Sequence, residues 1–122
     1  MSDNKQKVLL GKIIGNNSYL RFYYIFIQEL GVDCGLLLSE LVSKSDFYRL
    51  QGTLVDGKWF FQTRETIEKR FKWSEFKQRA LLKVLEEGEY IETCFFPGEM
   101  PQKKYYAINT ERVLELLAKE ER

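Results

Sequence analysis

Residues 63–88 read TRETIEKRFKWSEFKQRALLKVLEEG and contain the signals of two consecutive helices. Thr63 is a suitable N-cap for the first helix, because its hydroxyl can accept a hydrogen bond from a free amide of the first turn. This short helix is predicted over Arg64–Phe71, where the spacing of Ile67 and Phe71 puts both side chains on one face.

A longer second helix is predicted after the tight connection formed by residues 72–73. Ser74 is its N-cap, Glu75 in the first turn favours the helix dipole, and Gly88 ends the helix after Glu87. A short helix joined by a tight turn to a second helix is the helix-turn-helix unit. The buried face of the second helix is predicted to consist of Ala80, Leu81, Val84 and Leu85.

The residues after Gly88 predict a hairpin and a last helix. Two β-prone stretches, 90–96 and 104–108, flank the turn-rich loop Pro97–Gln102, which is the pattern of a β-hairpin. A hairpin directly after a helix-turn-helix unit is a wing, which can reach backbone phosphates beside the groove. Asn109 or Thr110 caps the last helix, whose predicted buried face consists of Val113, Leu114, Leu116 and Leu117.

The residues before Thr63 predict two more helices and a short strand. The first helix spans Tyr19–Leu30 and ends at Gly31, although its aromatic content also suits a strand. Asp33 is the predicted N-cap of a second, apolar helix, and residues 59–61 form a short strand after a turn. The expected apolar positions of the two helices are Phe22, Phe26 and Leu30, then Leu36, Leu37, Leu38, Leu41 and Val42.

This order of elements predicts one α+β domain that is mostly α: a winged helix-turn-helix with extra N-terminal helices. We expect a lead-in over residues 1–18, the domain over 19–118 and a charged tail over 119–122. The chain has 122 residues, 44% of them hydrophobic, which suffices for one packed core.

The composition excludes several functional classes. The sequence has no histidine, which rules out histidine-based acid–base catalysis and histidine metal ligands. Its two cysteines, Cys34 and Cys94, are too far apart in sequence to form a metal knuckle, although a disulfide between them stays possible. The polar start lacks a secretory signal and no apolar run would span a bilayer. We therefore expect a reduced, cytoplasmic protein that is not an enzyme and has no cofactor, metal or membrane partner.

Charge is distributed unevenly along a chain whose net charge is only +1. Residues 58–83 contain eight basic and three acidic residues, whereas residues 84–122 contain five basic and nine acidic residues. A local basic segment is the electrostatic footprint of a DNA-binding face. A solvated helix face with paired charges explains the same pattern, and composition does not separate the two interpretations.

The expected DNA-contacting residues follow from the docking of such folds, in which the second helix enters the major groove. Lys77 and Gln78 are the first candidates for base contact, because glutamine can pair with adenine and lysine with guanine or phosphate. Thr63 and Ser74 begin helices whose free amides suit phosphate, although plain capping is the favoured interpretation. The remaining candidates for phosphate contact are Arg64, Arg79, Lys83, Gln102, Lys103 and Lys104.

Arg79 and a group of aromatic residues can each be interpreted in two ways. Arg79 can form an ion pair with Glu75 one helical turn away instead of contacting phosphate. The aromatic residues near the helix-turn-helix can stack on single-stranded bases, but side chains at such positions more often belong to the core. The aromatic residues concerned are Trp59, Phe60, Phe61, Trp73 and Phe76.

Several short motifs together resemble the winged-helix domain at the N-terminus of phage and plasmid replication initiators, the replisome-organiser family. They are LGV (30–32), LLLSEL (36–41), DGKWFFQT (56–63), Ile67, FKQRAL (76–81), LEE (85–87), Ile91–Glu92 and KYYAIN (104–109). The resemblance covers roughly residues 20–118 and implies a DNA-binding winged helix. The family pattern places its glycine one residue later, after a leucine, whereas this sequence has Gly88 followed by Glu89.

These observations predict a duplex DNA-binding protein of a phage or mobile element. No replication domain follows the winged helix in this sequence, so we expect a transcription regulator or replication accessory factor rather than an initiator. Double-stranded DNA is the expected partner, and a homodimer would suit a two-fold site. The alternative is a protein-interaction module that inhibits or recruits a host replication or defence protein, which the near-neutral net charge favours.

Overall fold

A computed structural model describes residues 20–121 as a mixed α+β fold that is mostly helical. The predicted lead-in, residue Tyr19 and Arg122 lie outside the described residues. The elements in chain order are α1 (Tyr24–Leu30), α2 (Val32–Gln51), β1 (Phe60–Phe61), α3 (Arg64–Phe71), α4 (Glu75–Glu87), β2 (Ile91–Phe95), β3 (Lys104–Ile108), α5 (Thr110–Ala118) and a 3₁₀ turn (Lys119–Glu121). The coarse class predicted from the sequence, α+β and mostly α, is therefore confirmed.

The three strands form an antiparallel sheet in the order β1-β3-β2. β2 and β3 make the predicted hairpin, and β1, which precedes both in sequence, pairs with the outer side of β3. Phe60 lies opposite Tyr106, and both side chains are buried against α2. The sheet thus ties the segment before α3 to the hairpin after α4.

The core lies between α1, α2, α3, α4, α5 and the sheet. Its fully buried side chains include Phe26, Leu37, Leu38, Leu41, Ile67, Leu85 and Leu116. α2 supplies three of these seven, more than any other element, which agrees with its predicted apolar face. Gly35 lets α1 approach α2 closely, because a Cβ at this position would lie 2.9 Å from the backbone of Ile27.

The N-terminal predictions need two corrections. α1 begins at Tyr24 rather than Tyr19, so Phe22 precedes the helix and is exposed, whereas Phe26 is buried as expected. Asp33 lies in the first turn of α2 and does not cap it, because Gly31 occupies the N-cap position. Gly31, with φ 88°, joins the two helices in a conformation that favours glycine, so no residue is left between them for a side-chain cap.

The two helices of the segment predicted as a helix-turn-helix have the predicted bounds. α3 spans Arg64–Phe71 after the Thr63 cap, and α4 spans Glu75–Glu87 after the Ser74 cap. Asn109 caps α5, the first of the two predicted candidates. Gly88 ends α4, and its small size matters because an added Cβ would lie 2.6 Å from the Tyr90 ring.

The predicted buried face of α4 is wrong at two of four positions. Ala80 and Val84 are exposed, whereas Gln78 and Leu82 are buried beside Leu85. α4 carries apolar residues on more than one side, and packing against α2 and β2 selects the side centred on Leu85. The same kind of error applies to α5, where Leu114 is exposed although Val113 and Leu116 are buried.

Within residues 20–121, no helix is both long and apolar enough to cross a membrane.

Candidate nucleic-acid interface

α3, α4 and the turn between them form the first part of the candidate interface. The Thr63 hydroxyl accepts a hydrogen bond from the Thr66 amide at 3.1 Å, and the Ser74 hydroxyl accepts one from the Lys77 amide at 3.2 Å. Both hydroxyls therefore act as N-caps, the favoured interpretation of these two residues. The turn itself contains Lys72, whose φ of 61° lies in the left-handed region.

The side chain of Gln78 is buried and could not contact bases in this position, which corrects its assignment as a base-reading residue. Its side chain is only 3% exposed, and its amide nitrogen donates to the carbonyl oxygens of Trp73 at 3.1 Å and Arg64 at 3.3 Å. Trp73 in turn stacks on Phe71 with ring centroids 4.4 Å apart. Gln78 therefore fastens α4 to the start of α3 and to the turn between them.

Lys77 lies at the side of α4 and is half-buried. Its ammonium pairs with the Asp33 carboxylate of α2 at 2.7 Å and lies 5.6 Å from the centroid of the Trp73 ring. The first candidate for base contact is thus held toward α2. A phosphate contact from Lys77 would require the ion pair with Asp33 to open.

Arg64 and Arg79 share one carboxylate at the N-terminal end of α4. Glu75 Oε1 accepts from Arg79 at 2.7 Å and lies 2.9 Å from Arg64 Nη1, and Arg64 also approaches Glu65. The Arg79 side chain remains 78% exposed. Exposed pairs of this kind contribute only about 0–1 kcal/mol, so either guanidinium can exchange its carboxylate for a phosphate at low cost.

The outer face of α4 is formed by Phe76, Arg79, Ala80 and Lys83. Lys83 is 76% exposed and only loosely paired, at 3.9 Å, with Glu87. Phe76 is 82% exposed, so the expectation that it belongs to the core is wrong. Trp73 is buried as expected and belongs to the hydrophobic core.

The loop between β2 and β3, residues 96–103, forms the second part of the candidate interface. Phe96 packs edge-to-face on Tyr105, with ring centroids 4.7 Å apart. The Tyr105 hydroxyl donates to Glu99 at 3.0 Å, and this hydrogen bond raises the pKa of Tyr105. The base of the loop is therefore fastened to the sheet.

The basic residues of this loop differ in how they are held. Lys103 is exposed, and its ammonium lies 5.2 Å from the centroid of the Phe61 ring. Lys104 opens β3 and approaches Glu86 of α4 at 3.8 Å, which places it at the base of the loop. Gln102 is exposed beside Lys103. The loop thus presents Gln102 and Lys103, and Lys104 faces α4.

Two cations that were not among the predicted contacts lie at this surface. Lys69 in the last turn of α3 and Lys72 in the following turn are exposed and form no ion pair with another residue of the described chain. The basic run EKRFK at the end of α3 is the sequence signal that could have identified these two lysines as contacts. Arg70 in the same segment is different, because it pairs with buried Glu40 at 2.7 Å.

Two other features of the described residues concern metal ligands and thiols. No group of three or more acidic or cysteine side chains between residues 20 and 121 could hold a metal ion. Cys34 and Cys94 are both free thiols, and burial raises the pKa of Cys34.

Comparisons with protein-family models, curated proteins and solved structures found no match. The resemblance to replication initiators stays a prediction.

Proposed function

We propose that the chain is a winged helix-turn-helix protein that binds duplex DNA. The observation that carries the proposal is the order of elements, α2-β1-α3-α4-β2-β3, combined with the sheet order β1-β3-β2. This arrangement pairs a helix-turn-helix unit with a hairpin that follows directly on its second helix. α4 is then the helix that enters the major groove, and the loop 96–103 is the wing.

Charge on the proposed surface supports a polyanionic partner. Residues 63–83 carry seven basic and three acidic side chains, and the exposed cations concentrate on α3, α4 and their turn. Arg64, Arg79 and Lys83 are held in surface ion pairs, whereas Lys69 and Lys72 form no ion pair with another described residue. Because such pairs contribute little to stability, the cations remain available to phosphates. The exposed cations proposed to contact phosphates are Arg64, Lys69, Lys72, Arg79, Lys83 and Lys103.

The resemblance to phage and plasmid replication initiators supports a role as a transcription regulator or DNA-replication accessory factor. A homodimer on a two-fold site is part of this proposal, since single domains of this size bind DNA modestly. The exposed aromatic residues Phe22, Tyr23 and Tyr24 offer a surface for such pairing.

Fluorescence anisotropy with random-sequence duplex DNA, measured at several salt concentrations, tests the proposal. The test variant is Lys72→Ala/Arg79→Ala/Lys83→Ala, and the matched control Lys44→Ala/Arg49→Ala/Lys119→Ala removes the same charge from α2 and the C-terminal turn. The native chain and the control should bind with a steep salt dependence. The test variant should bind more weakly, with a slope of log K against log salt that is smaller by about 2–3.

Two results would overturn DNA binding as the function. One is the absence of binding by the native chain at low salt. The other is an equal loss of affinity in both triple variants, which would mean that charge anywhere on the protein is sufficient.

A second candidate function is a protein-interaction module that binds a host replication or defence protein. It is favoured by the ion pairing of Arg64, Lys77 and Arg79 together with two strongly exposed apolar side chains, Phe76 and Met100. This candidate would be supported instead if the chain bound no DNA at low salt, kept a protein partner at high salt and lost that partner in Phe76→Ala. Apolar contacts, unlike phosphate contacts, are insensitive to salt.

A further inference from the structure

Phe76 is the most exposed apolar side chain of α4. It is 82% exposed, and within residues 20–121 its ring pairs with no other aromatic ring. Ala80 lies one turn further along the same outer face and is also exposed. Neither side chain contributes to the core, so their positions on the helix are free to serve recognition.

The other side chains of α4 limit what this helix can recognise. Gln78 is the only amide side chain between Glu75 and Glu87, and its burial removes the one group that could pair with adenine. Lys77 is held by Asp33 at the side of the helix. The polar groups left on the outer face are Arg79 and Lys83, which suit phosphates or guanine, and Glu87, which is 67% exposed in the last turn beside Lys83.

Apolar side chains in the major groove recognise one feature of the bases, the C5-methyl group of thymine. Phe76 and Ala80 are four residues apart, which corresponds to about 6 Å along the helix axis. This spacing is close to two steps between stacked bases on one strand, at about 3.4 Å each. The two side chains can therefore contact methyl groups on nearby base pairs.

We propose that Phe76, assisted by Ala80, recognises thymine methyl groups, so that the preferred sites contain thymines at the positions facing the start of α4. The inference rests on the proposed function, because it requires α4 to lie in the major groove. The neighbouring cations Arg79 and Lys83, which lie on one side of Phe76 around the helix, contact the DNA backbone beside it. The specificity of α4 then comes from apolar contact and shape rather than from amide hydrogen bonds.

The experiment begins with selection of a preferred duplex site by the native chain. Each thymine of that site is then replaced by uracil, which removes only the methyl group and leaves base pairing intact. Affinities are measured for the native chain, for Phe76→Ala and for Leu50→Ala. Leu50 is a matched control, since it is an apolar side chain on α2 with 79% exposure.

At one or two positions, uracil should weaken binding by the native chain and by Leu50→Ala by about fourfold per methyl group. Phe76→Ala should bind thymine and uracil equally well at one of these positions, whereas discrimination at a second position comes from Ala80 and should remain. The folded state of Phe76→Ala should be unaffected because the side chain makes no core contact.

The possible failures separate the two proposals. Equal binding of thymine and uracil sites by the native chain, with the steep salt dependence retained, would overturn the role of Phe76 and leave DNA binding intact. If the native chain selects no preferred site, or selects a site without thymine, the role of Phe76 is likewise overturned and DNA binding is left intact. Discrimination that Phe76→Ala retains at every position would also overturn this role. A native chain that binds no duplex DNA at low salt would overturn both proposals.

Discussion

Replacement of Gln78 separates a structural role from a role in base reading. The amide nitrogen of Gln78 donates to two carbonyl oxygens, at 3.1 and 3.3 Å, and the side chain is almost fully buried. Each hydrogen bond contributes about 1 kcal/mol to stability. Loss of the buried methylene adds roughly 0.8 kcal/mol. Gln78→Ala should therefore lower the free energy of unfolding by about 2–3 kcal/mol.

Gln78→Met keeps most of the volume of the side chain and removes its donor. It should cost only about 1–2 kcal/mol, since the methylene contacts remain. The control is Lys83→Ala, an exposed position on the same helix, which should change stability by no more than about 0.5 kcal/mol. Urea unfolding, followed by tryptophan fluorescence and circular dichroism, measures all three, with Gln78→Ala shifting the midpoint by about 1–2 M.

DNA binding by the same variants completes the test. Under conditions in which Gln78→Met remains fully folded, its affinity for duplex DNA should stay within about twofold of the native chain. Loss of a base-reading glutamine would cost about 1–3 kcal/mol of discrimination instead. A Gln78→Ala variant with native stability and impaired site preference would refute the structural role and restore the original assignment.

Three further predictions follow from single residues. Arg70→Ala should cost about 3 kcal/mol, because it leaves the Glu40 carboxylate buried without its partner, whereas thermal unfolding of Lys69→Ala should resemble the native chain. Lys72→Gly should stabilise the fold by up to about 1 kcal/mol by relieving the left-handed backbone, and should weaken DNA binding; a less stable variant would contradict this. Burial raises the pKa of Tyr106 to about 12, with Glu86 adding to the shift. Since the protonated hydroxyl is the form favoured by folding, this contribution is complete below pH 10 and is lost as pH rises toward 12. Native stability should thus fall by roughly 2 kcal/mol more than that of Tyr106→Phe in chemical denaturation across this range.

The starts of α3 and α4, and the start of α5 to within one residue, were determined by the sequence itself. Thr63, Ser74 and Asn109 each accept a hydrogen bond from an amide three residues later, and this requires only local geometry. The hairpin was predictable for a similar reason, because two β-prone stretches flank a loop of turn-forming residues. These features need no information about distant parts of the chain.

The tertiary structure decided which side of α4 faces the core. Leu81, Leu82, Val84 and Leu85 lie on more than one side of the helix, so periodicity alone left its orientation ambiguous. Packing against α2 turns Gln78 and Leu82 inward and leaves Phe76 exposed. Buried amides are stable only where partners exist, and the two carbonyl groups that satisfy Gln78 are brought together by the fold.

The same division holds for the charges of the candidate interface. The sequence showed that residues 58–83 are rich in cations. It did not show that Lys77 meets Asp33, or that Arg64 and Arg79 share Glu75, since the first pair joins α2 to α4 and Arg64 reaches across from α3. Local propensity acts on neighbours along the chain, whereas burial and ion pairing depend on which elements come together in the folded molecule.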